Sequence, residues 1–330
     1  MTSPGRTPVI VEAPENTPAR RGLLLSAAGL LALASGTALS TGVTRVVQAA
    51  PDVLPEWVRF GSALIVTLWL AGLIMARTTA HSQRQRIPRL LGFGLSSLFF
   101  LYTTAPASTT LAQHLGNAVY GCTLAWLAVE VCRAHGVRLR HGFPLADGGQ
   151  RRRTWMVTSL SYLICAIWSF LFTHTVAGLR AVGINEALIV GLDQRSAIGV
   201  ASVVDGVLAF TATVAIEDVV IVAAAVTLLS AARRPAWQIY AVVCLVEIAL
   251  HAYMGAVALA IAFYAGGRVW LYRRFGGVVP LVIGHLVLNL LVLVNWAAPA
   301  SLSKLLSAIV AAASVYGASR LWSRQGGEKT

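Results

Sequence analysis

Between residues 217 and 289 the chain carries six side chains able to move a proton or hold a cation: Glu217, Asp218, Glu247, His251, His285 and Asn289. Two of their spacings are those of a helical face. Glu247 and His251 are four residues apart, as are His285 and Asn289, and residues at i and i+4 stand one above the other on a helix. An imidazole and an amide one turn apart can converge on one point, as sites that bind a metal or activate water require. All six residues lie in apolar runs, where ionisable groups are expensive and mark function by default. Arg268 is grouped with Arg273 and Arg274 as a basic helix end, so no Lys or Arg is expected deep in these runs to neutralise the acids. Carboxylates without such partners must be protonated, face a watery cavity or be balanced by a bound cation. Singly, Asp205 and Glu247 could equally cap a helix, pair or face a cavity. His114, Glu130 and His174 fall near helix ends, where water is within reach, and are expected to be structural.

The elements that must position these residues are hydrophobic helices. Of the 330 residues, 57% are hydrophobic and 12% charged, about half the charged fraction usual in soluble domains. That composition excludes a water-soluble fold of this length. Apolar runs occupy about 22–44, 60–76, 90–107, 111–132, 155–177, 196–231, 237–254, 256–272, 278–298 and 303–322. Most approach the roughly 20 residues a helix needs to cross the hydrocarbon core. Their continuity excludes the alternating strands of a membrane barrel. The expected fold is all-α, a polytopic transmembrane helical bundle of about 8–10 spans.

Along the chain, 1–19 reads as a disordered tail, 20–195 as a scaffold half, 196–322 as the catalytic core and 323–330 as a C-terminal tail. The run 196–231 is too long for one straight crossing, so it is expected to break or to add a re-entrant piece. Arg20-Arg21 before an apolar stretch, with Val47-Gln48-Ala49 after it, resembles an export signal. The stretch is too long for a signal core, and an uncleaved first span is expected. No internal repeat supports an inverted-repeat transporter.

The net charge is +13, but the arginines come in short clusters between apolar runs, with no basic groove or RNA-binding motif. Nucleic acid is excluded as a partner, and lipid headgroups are the expected contact. If the N-terminus is inside and each run crosses once, 21 of the 26 basic residues face the cytoplasm; Arg45, Arg59, Arg180, Arg195 and Lys304 do not. Cytoplasmic loops collect Lys and Arg, so both termini are expected to be cytoplasmic in a multi-pass protein of the cell membrane. Cys122, Cys132, Cys165 and Cys244 form no C-x-x-C pair and indicate neither a disulfide framework nor a thiolate metal site.

Residues 212–295 resemble the CPBP intramembrane proteases, the family of CAAX prenyl endopeptidases and bacteriocin-processing or self-immunity proteins. Its pattern is Glu-Glu-x-x-x-Arg on one helix, Phe-x-x-x-His on a second and His-x-x-x-Asn/Asp on a third. Here Glu217-Asp218 stands at the first, Glu247-Ile248-Ala249-Leu250-His251 followed by Ala252-Tyr253-Met254-Gly255 at the second. At the third, Leu271-Tyr272-Arg273-Arg274-Phe275-Gly276-Gly277 leads through Val279-Pro280 to His285 and Asn289. The resemblance covers about a quarter of the chain.

What the resemblance implies is an endopeptidase cutting a membrane-associated or lipid-modified peptide. Glu217, beside Asp218, would activate the attacking water. His251, His285 and Asn289 would complete the site, either stabilising the oxyanion and leaving amine or, with Glu217, holding a divalent metal such as zinc. The partners would be membrane lipid and a peptide or lipopeptide substrate. Three departures stand against it: Asp218 replaces the second Glu, Val222 stands where the pattern has Arg, and Glu247 stands where it has Phe. The competing expectations are a non-catalytic relative that binds a partner, favoured by the missing Arg, and a proton- or ion-coupled transporter, since buried acids and histidines also build relays.

Overall fold

A computed structural model describes residues 17–47, 53–78, 86–103, 110–139, 148–183, 199–252 and 256–325. Most of the expected N-terminal tail, residues 140–147 of the basic loop, Arg195, Tyr253-Met254-Gly255 and residues 326–330 lie outside the described residues. All regular structure among the described residues is helical, as the continuous apolar runs require, and the chain is an all-α membrane bundle. The helices are α1 (Thr17–Val47), α2 (Val53–Thr78), α3 (Arg86–Thr103), α4 (Thr110–Ala134) and α5 (Gly148–Ala181). They continue with α6 (Val203–Ala231), α7 (Ala236–Leu250), α8 (Ile261–Phe275), α9 (Val278–Ala297) and α10 (Ala300–Gln325), with a 3₁₀ turn at Ala256–Ala260.

Six described helices are long and apolar enough to cross a membrane: α2, α4, α5, α6, α9 and α10. The ten apolar runs are therefore not ten equal crossings. Helices α7 and α8 have 15 residues each, roughly 22 Å of helix against a hydrocarbon core of about 30 Å. Large apolar side chains such as Leu68, Phe170 and Ile309 are exposed on the outside of the bundle, the surface a bilayer would cover. Helix α1 belongs to the packed body, with Leu23, Ala27 and Leu30 buried in the main core.

Helix α6 runs through the centre. Its stretch Val220–Ala225 is wholly inaccessible. It starts seven residues later than the apolar run, because Ser202 and Asp205 close a capping box. The Ser202 amide donates to Asp205 Oδ2 at 2.9 Å, and the Asp205 amide donates to Ser202 Oγ at 3.1 Å. The cap amide and the third helical amide thus both find acceptors. Asp205 is a cap. The junctions inside α6 keep right-handed helical dihedrals at Val214, Ala215 and Ala225, so the expected break does not occur.

Small residues set the helix separations on which the site depends. A Cβ on Gly121 of α4 would come within 2.9 Å of Ala212 Cα in α6. One on Gly284 of α9 would come within 2.6 Å of both Ser161 Cβ and Thr158 O in α5. Beside that contact Ser161 Oγ donates to Leu281 O at 3.0 Å. The turn from α8 to α9 uses Gly276 and Gly277 at φ 64° and 102°, where a side chain would be strained. Arg153 donates to the Phe275 carbonyl there at 2.7 Å, and Pro280 sits in the first turn of α9, where its missing N–H costs nothing.

The isolated polar residues of the first half are structural, but two of them are buried rather than wetted. His114 is buried and donates to Gly199 O at 3.1 Å. Glu130 is buried and pairs with Arg133 at 2.9 Å. His174 is exposed and bonds its own helix at Phe170 O.

Candidate active site

The middle of α6 is not α-helical. Ala215–Ala224 is π-helical, with the Ala225 amide bonding back to Val220 O. Such segments are rare and concentrate at functional sites. This one carries Glu217 and Asp218, whose side chains both meet helix α8. There Tyr264, Arg268 and Tyr272 follow each other at four-residue steps and face α6 in turn. The Tyr264 hydroxyl donates to Glu217 Oε2 at 3.1 Å, Arg268 reaches both acids, and Tyr272 Oη lies 2.9 Å from Thr227 Oγ1.

Arg268 overturns the expectation that these runs hold no deep cation. Its side chain is wholly buried. Nη1 donates to Glu217 Oε2 at 3.1 Å and to the Tyr264 hydroxyl at 2.6 Å, while Nη2 pairs with Asp218 Oδ1. The guanidinium carbon also lies 4.7 Å above the Tyr264 ring centroid, a cation–π arrangement. Arg268 stands five residues before Arg273, roughly 7 Å deeper along the helix, and does not share the helix-end cluster's access to water. Val222, where the resembling pattern has Arg, is fully buried in the apolar core. The positive partner of the acidic pair comes from α8 instead.

The remaining residues close around the same point. His285, buried on α9, has Nδ1 3.0 Å from Asp218 Oδ2 and its ring 3.3 Å from the Tyr264 hydroxyl. A carboxylate only accepts, so a neutral His285 carries its proton on Nδ1. Asn289, one turn further on, has a buried amide nitrogen with no hydrogen-bond partner among the described residues. His251 caps the C-terminal end of α7. Its Nδ1 donates to the Glu247 carbonyl at 2.9 Å, and its Nε2 lies 3.7 Å from Glu217 Oε1. Glu247 is fully buried, with Arg268 Nη1 at 3.8 Å from Oε1 and His251 Nδ1 at 3.9 Å from Oε2.

A cavity of about 200 Å³ opens on this cluster, lined by Glu217, His251, Tyr264, His285 and Asn289. Apolar walls come from Trp168, Phe172, Phe210 and Leu250. At about 30 Å³ per water the space holds several waters or one side chain of a bound molecule. Asp218, Glu247 and Arg268 stand behind that wall and orient the residues that line it.

Four of the sequence-predicted site residues, Glu217, His251, His285 and Asn289, thus line one cavity, and Asp218 supports His285 from outside it. Sequence reasoning missed Arg268 and Tyr264. The signal was present in the four-residue steps Tyr264, Arg268, Tyr272, a polar stripe on an otherwise apolar helix. Among the described His, Cys, Asp and Glu residues, donor atoms within 4.8 Å of one another belong to Glu217, Glu247 and His251. His285, expected among the metal ligands, is outside that group and engaged with Asp218. No protein-family model matches the chain, and neither a curated protein nor a solved structure matches it.

Proposed function

We propose that this protein is an intramembrane endopeptidase of the cell membrane that hydrolyses a peptide bond in a membrane-associated or lipid-modified peptide. The observation that carries this reading is the single cavity lined by an acid, two imidazoles and an unsatisfied amide donor. The resemblance of residues 212–295 to the CPBP proteases points the same way.

The residues divide the labour as follows. Tyr264 and Arg268 hold Oε2 of Glu217, leaving Oε1 to take a proton from a water in the cavity as it attacks the scissile carbonyl carbon. The Asn289 amide donates to the carbonyl oxygen as negative charge develops on it. The proton then passes to the leaving amine, through Glu217 itself or through Nε2 of His285, whose Nδ1 is held by Asp218. Arg268 also bears on the non-catalytic alternative, because that reading drew on the missing cation at Val222.

The test is to purify the protein in detergent, offer a mixed peptide and lipopeptide library, and read cleavage by mass spectrometry for wild type, Glu217→Gln and His285→Ala. A positioned general base contributes about 10²–10⁴-fold to rate, so Glu217→Gln is expected to lose at least about 100-fold. Cleavage surviving both substitutions at wild-type rate would overturn the site assignment.

A further inference from the structure

We infer that Glu217, Glu247 and His251 form a site for one divalent transition-metal cation, with Glu247 as the ligand peculiar to this chain. The donor atoms of the three residues all lie within 4.8 Å of one another, and three further observations point to an ion rather than to a chance cluster.

The first is Glu247 itself. Its carboxylate is fully buried, and neither oxygen has a hydrogen-bond partner among the described residues. Arg268 Nη1 stands 3.8 Å from Oε1 and His251 Nδ1 3.9 Å from Oε2, both beyond hydrogen-bonding reach. A buried carboxylate left in that state is costly, and a metal ion is one of the few groups that satisfies it.

The second is the tautomer of His251. The Glu247 carbonyl can only accept, so the 2.9 Å contact places a proton on Nδ1. In the neutral ring the lone pair is then on Nε2, which faces Glu217 Oε1 across 3.7 Å. Two electron-pair donors at that separation repel, yet two ligands each about 2.0–2.2 Å from one ion are spaced about this far apart. Metal-binding histidines donate their other ring N–H to a carbonyl or carboxylate in the same manner.

The third is the charge count. Glu217, Asp218 and Glu247 surround a single guanidinium. With all three acids ionised and the histidines neutral, two negative charges are left over, and one divalent cation cancels them; the alternative is a protonated Glu247, which Zn²⁺ binding would displace. A nitrogen and two carboxylate donors suit zinc or manganese better than magnesium or calcium. Glu217 and His251 line the cavity, so the ion's open position would face the space where a substrate carbonyl or a water binds. The inference builds on the hydrolytic reading only for the use of that open position; with the ion bound, Glu217 Oε1 would be a ligand, and Nε2 of His285, whose Nδ1 is held by Asp218, would take the water's proton in its place.

The experiment uses the full-length protein in detergent, stripped with a chelator and titrated with Zn²⁺ by calorimetry, with Co²⁺ absorption as a spectroscopic probe. One equivalent is expected to bind, with a Co²⁺ spectrum lacking thiolate charge-transfer bands, which excludes the four cysteines as ligands. Glu247→Gln is expected to weaken binding at least tenfold. Zn²⁺ should raise the thermal unfolding midpoint of wild type and leave that of Glu247→Gln unmoved. Without metal, Glu247→Gln should unfold no lower than wild type, which shows that it folds. Failure of wild type to bind Zn²⁺ or Co²⁺ stoichiometrically, or equal binding by Glu247→Gln, overturns the inference. Cleavage that persists in chelator with no ion bound would sink the ion and spare the protease; a bound ion without any cleavage would do the reverse.

Discussion

Arg268→Met removes the cation that contacts Glu217 and Asp218 and keeps most of the apolar stem. Deleting one partner of a buried pair costs about 3–5 kcal/mol, because the other charge stays buried without compensation. Here two carboxylates are uncovered together, one paired at 3.1 Å and one in direct contact, with a third at 3.8 Å. The loss is therefore expected near the upper end, about 5 kcal/mol, against total stabilities of roughly 5–15 kcal/mol for most proteins. Equilibrium unfolding in mixed micelles would measure it, with Arg268→Lys falling between wild type and Arg268→Met. An ammonium keeps the charge but lacks the fork that serves two acids at once. The decisive measurement is a double-mutant cycle with Asp218→Asn. If the guanidinium holds Asp218, the double variant loses less than the sum of the single losses, with a coupling of at least about 1.5 kcal/mol. Additivity within about 0.5 kcal/mol would refute the pairing.

Gly284→Val places a side chain where Ser161 and Thr158 already stand at 2.6 Å. It should push α9 off α5, cost about 1–3 kcal/mol in micelle unfolding and abolish cleavage by displacing His285. Tyr264→Phe removes the hydroxyl between Glu217 and Arg268. Its cleavage rate should fall about tenfold or more, while stability changes by only about 1 kcal/mol. Asp205→Ala breaks the capping box of α6 and should cost about 1 kcal/mol, with cleavage kinetics unchanged because Asp205 caps the helix and does not line the cavity. Single cysteines introduced at either terminus of a Cys-free variant should react with an impermeant thiol reagent only from the cytoplasmic side of oriented vesicles, as the Arg distribution requires.

The fold class was legible because continuous apolar runs leave a chain few options in lipid. The candidate site was legible in its acids, histidines and asparagine, since those types are conspicuous at membrane depth. Arg268 was not, for a specific reason. A positive residue five positions from Arg273-Arg274 looks like part of a helix-end cluster when only counts per loop are compared. Its depth shows only when Tyr264 and Tyr272 are placed on the same face. With Arg268 set aside, the other basic residues divide 20 to 5 if each of the ten runs crosses once; with six described helices long enough to cross, the orientation rests on the thiol-labelling test. The run 196–231 misled in a different way. Its length suggested a break, but the surplus was a capping signal, since Ser202 and Asp205 stop the helix at its start. Helix lengths for α7 and α8 were also hidden, because the residues of the 3₁₀ turn between them, Ala256–Ala260, are as apolar as the helices they separate.

The placement of the cation on α8 rather than on α6 has a structural consequence. An arginine at position 222 would have paired within its own helix, adding nothing to the contact between helices. From position 268 the guanidinium spans Glu217 and Asp218 with its two terminal nitrogens, so the ion pair joins α6 to α8 as well as neutralising the acids. The π-helical turn makes this double contact possible, since widening the helix changes the angle between consecutive side chains and lets both acids address one partner. The arrangement also separates their roles. Asp218 is committed to Arg268 and His285, whereas Glu217 keeps Oε1 turned towards His251 and the cavity. Of two adjacent acids, only Glu217 is then placed to act on a bound water. Glu217→Asp, which keeps the charge and withdraws it by about one bond length, should therefore leave the Arg268–Asp218 pairing and the fold largely intact while lowering the cleavage rate about 100-fold. Asp218→Glu should instead disturb stability more than rate. An opposite ranking of the two variants would show that the acids have been assigned the wrong way round.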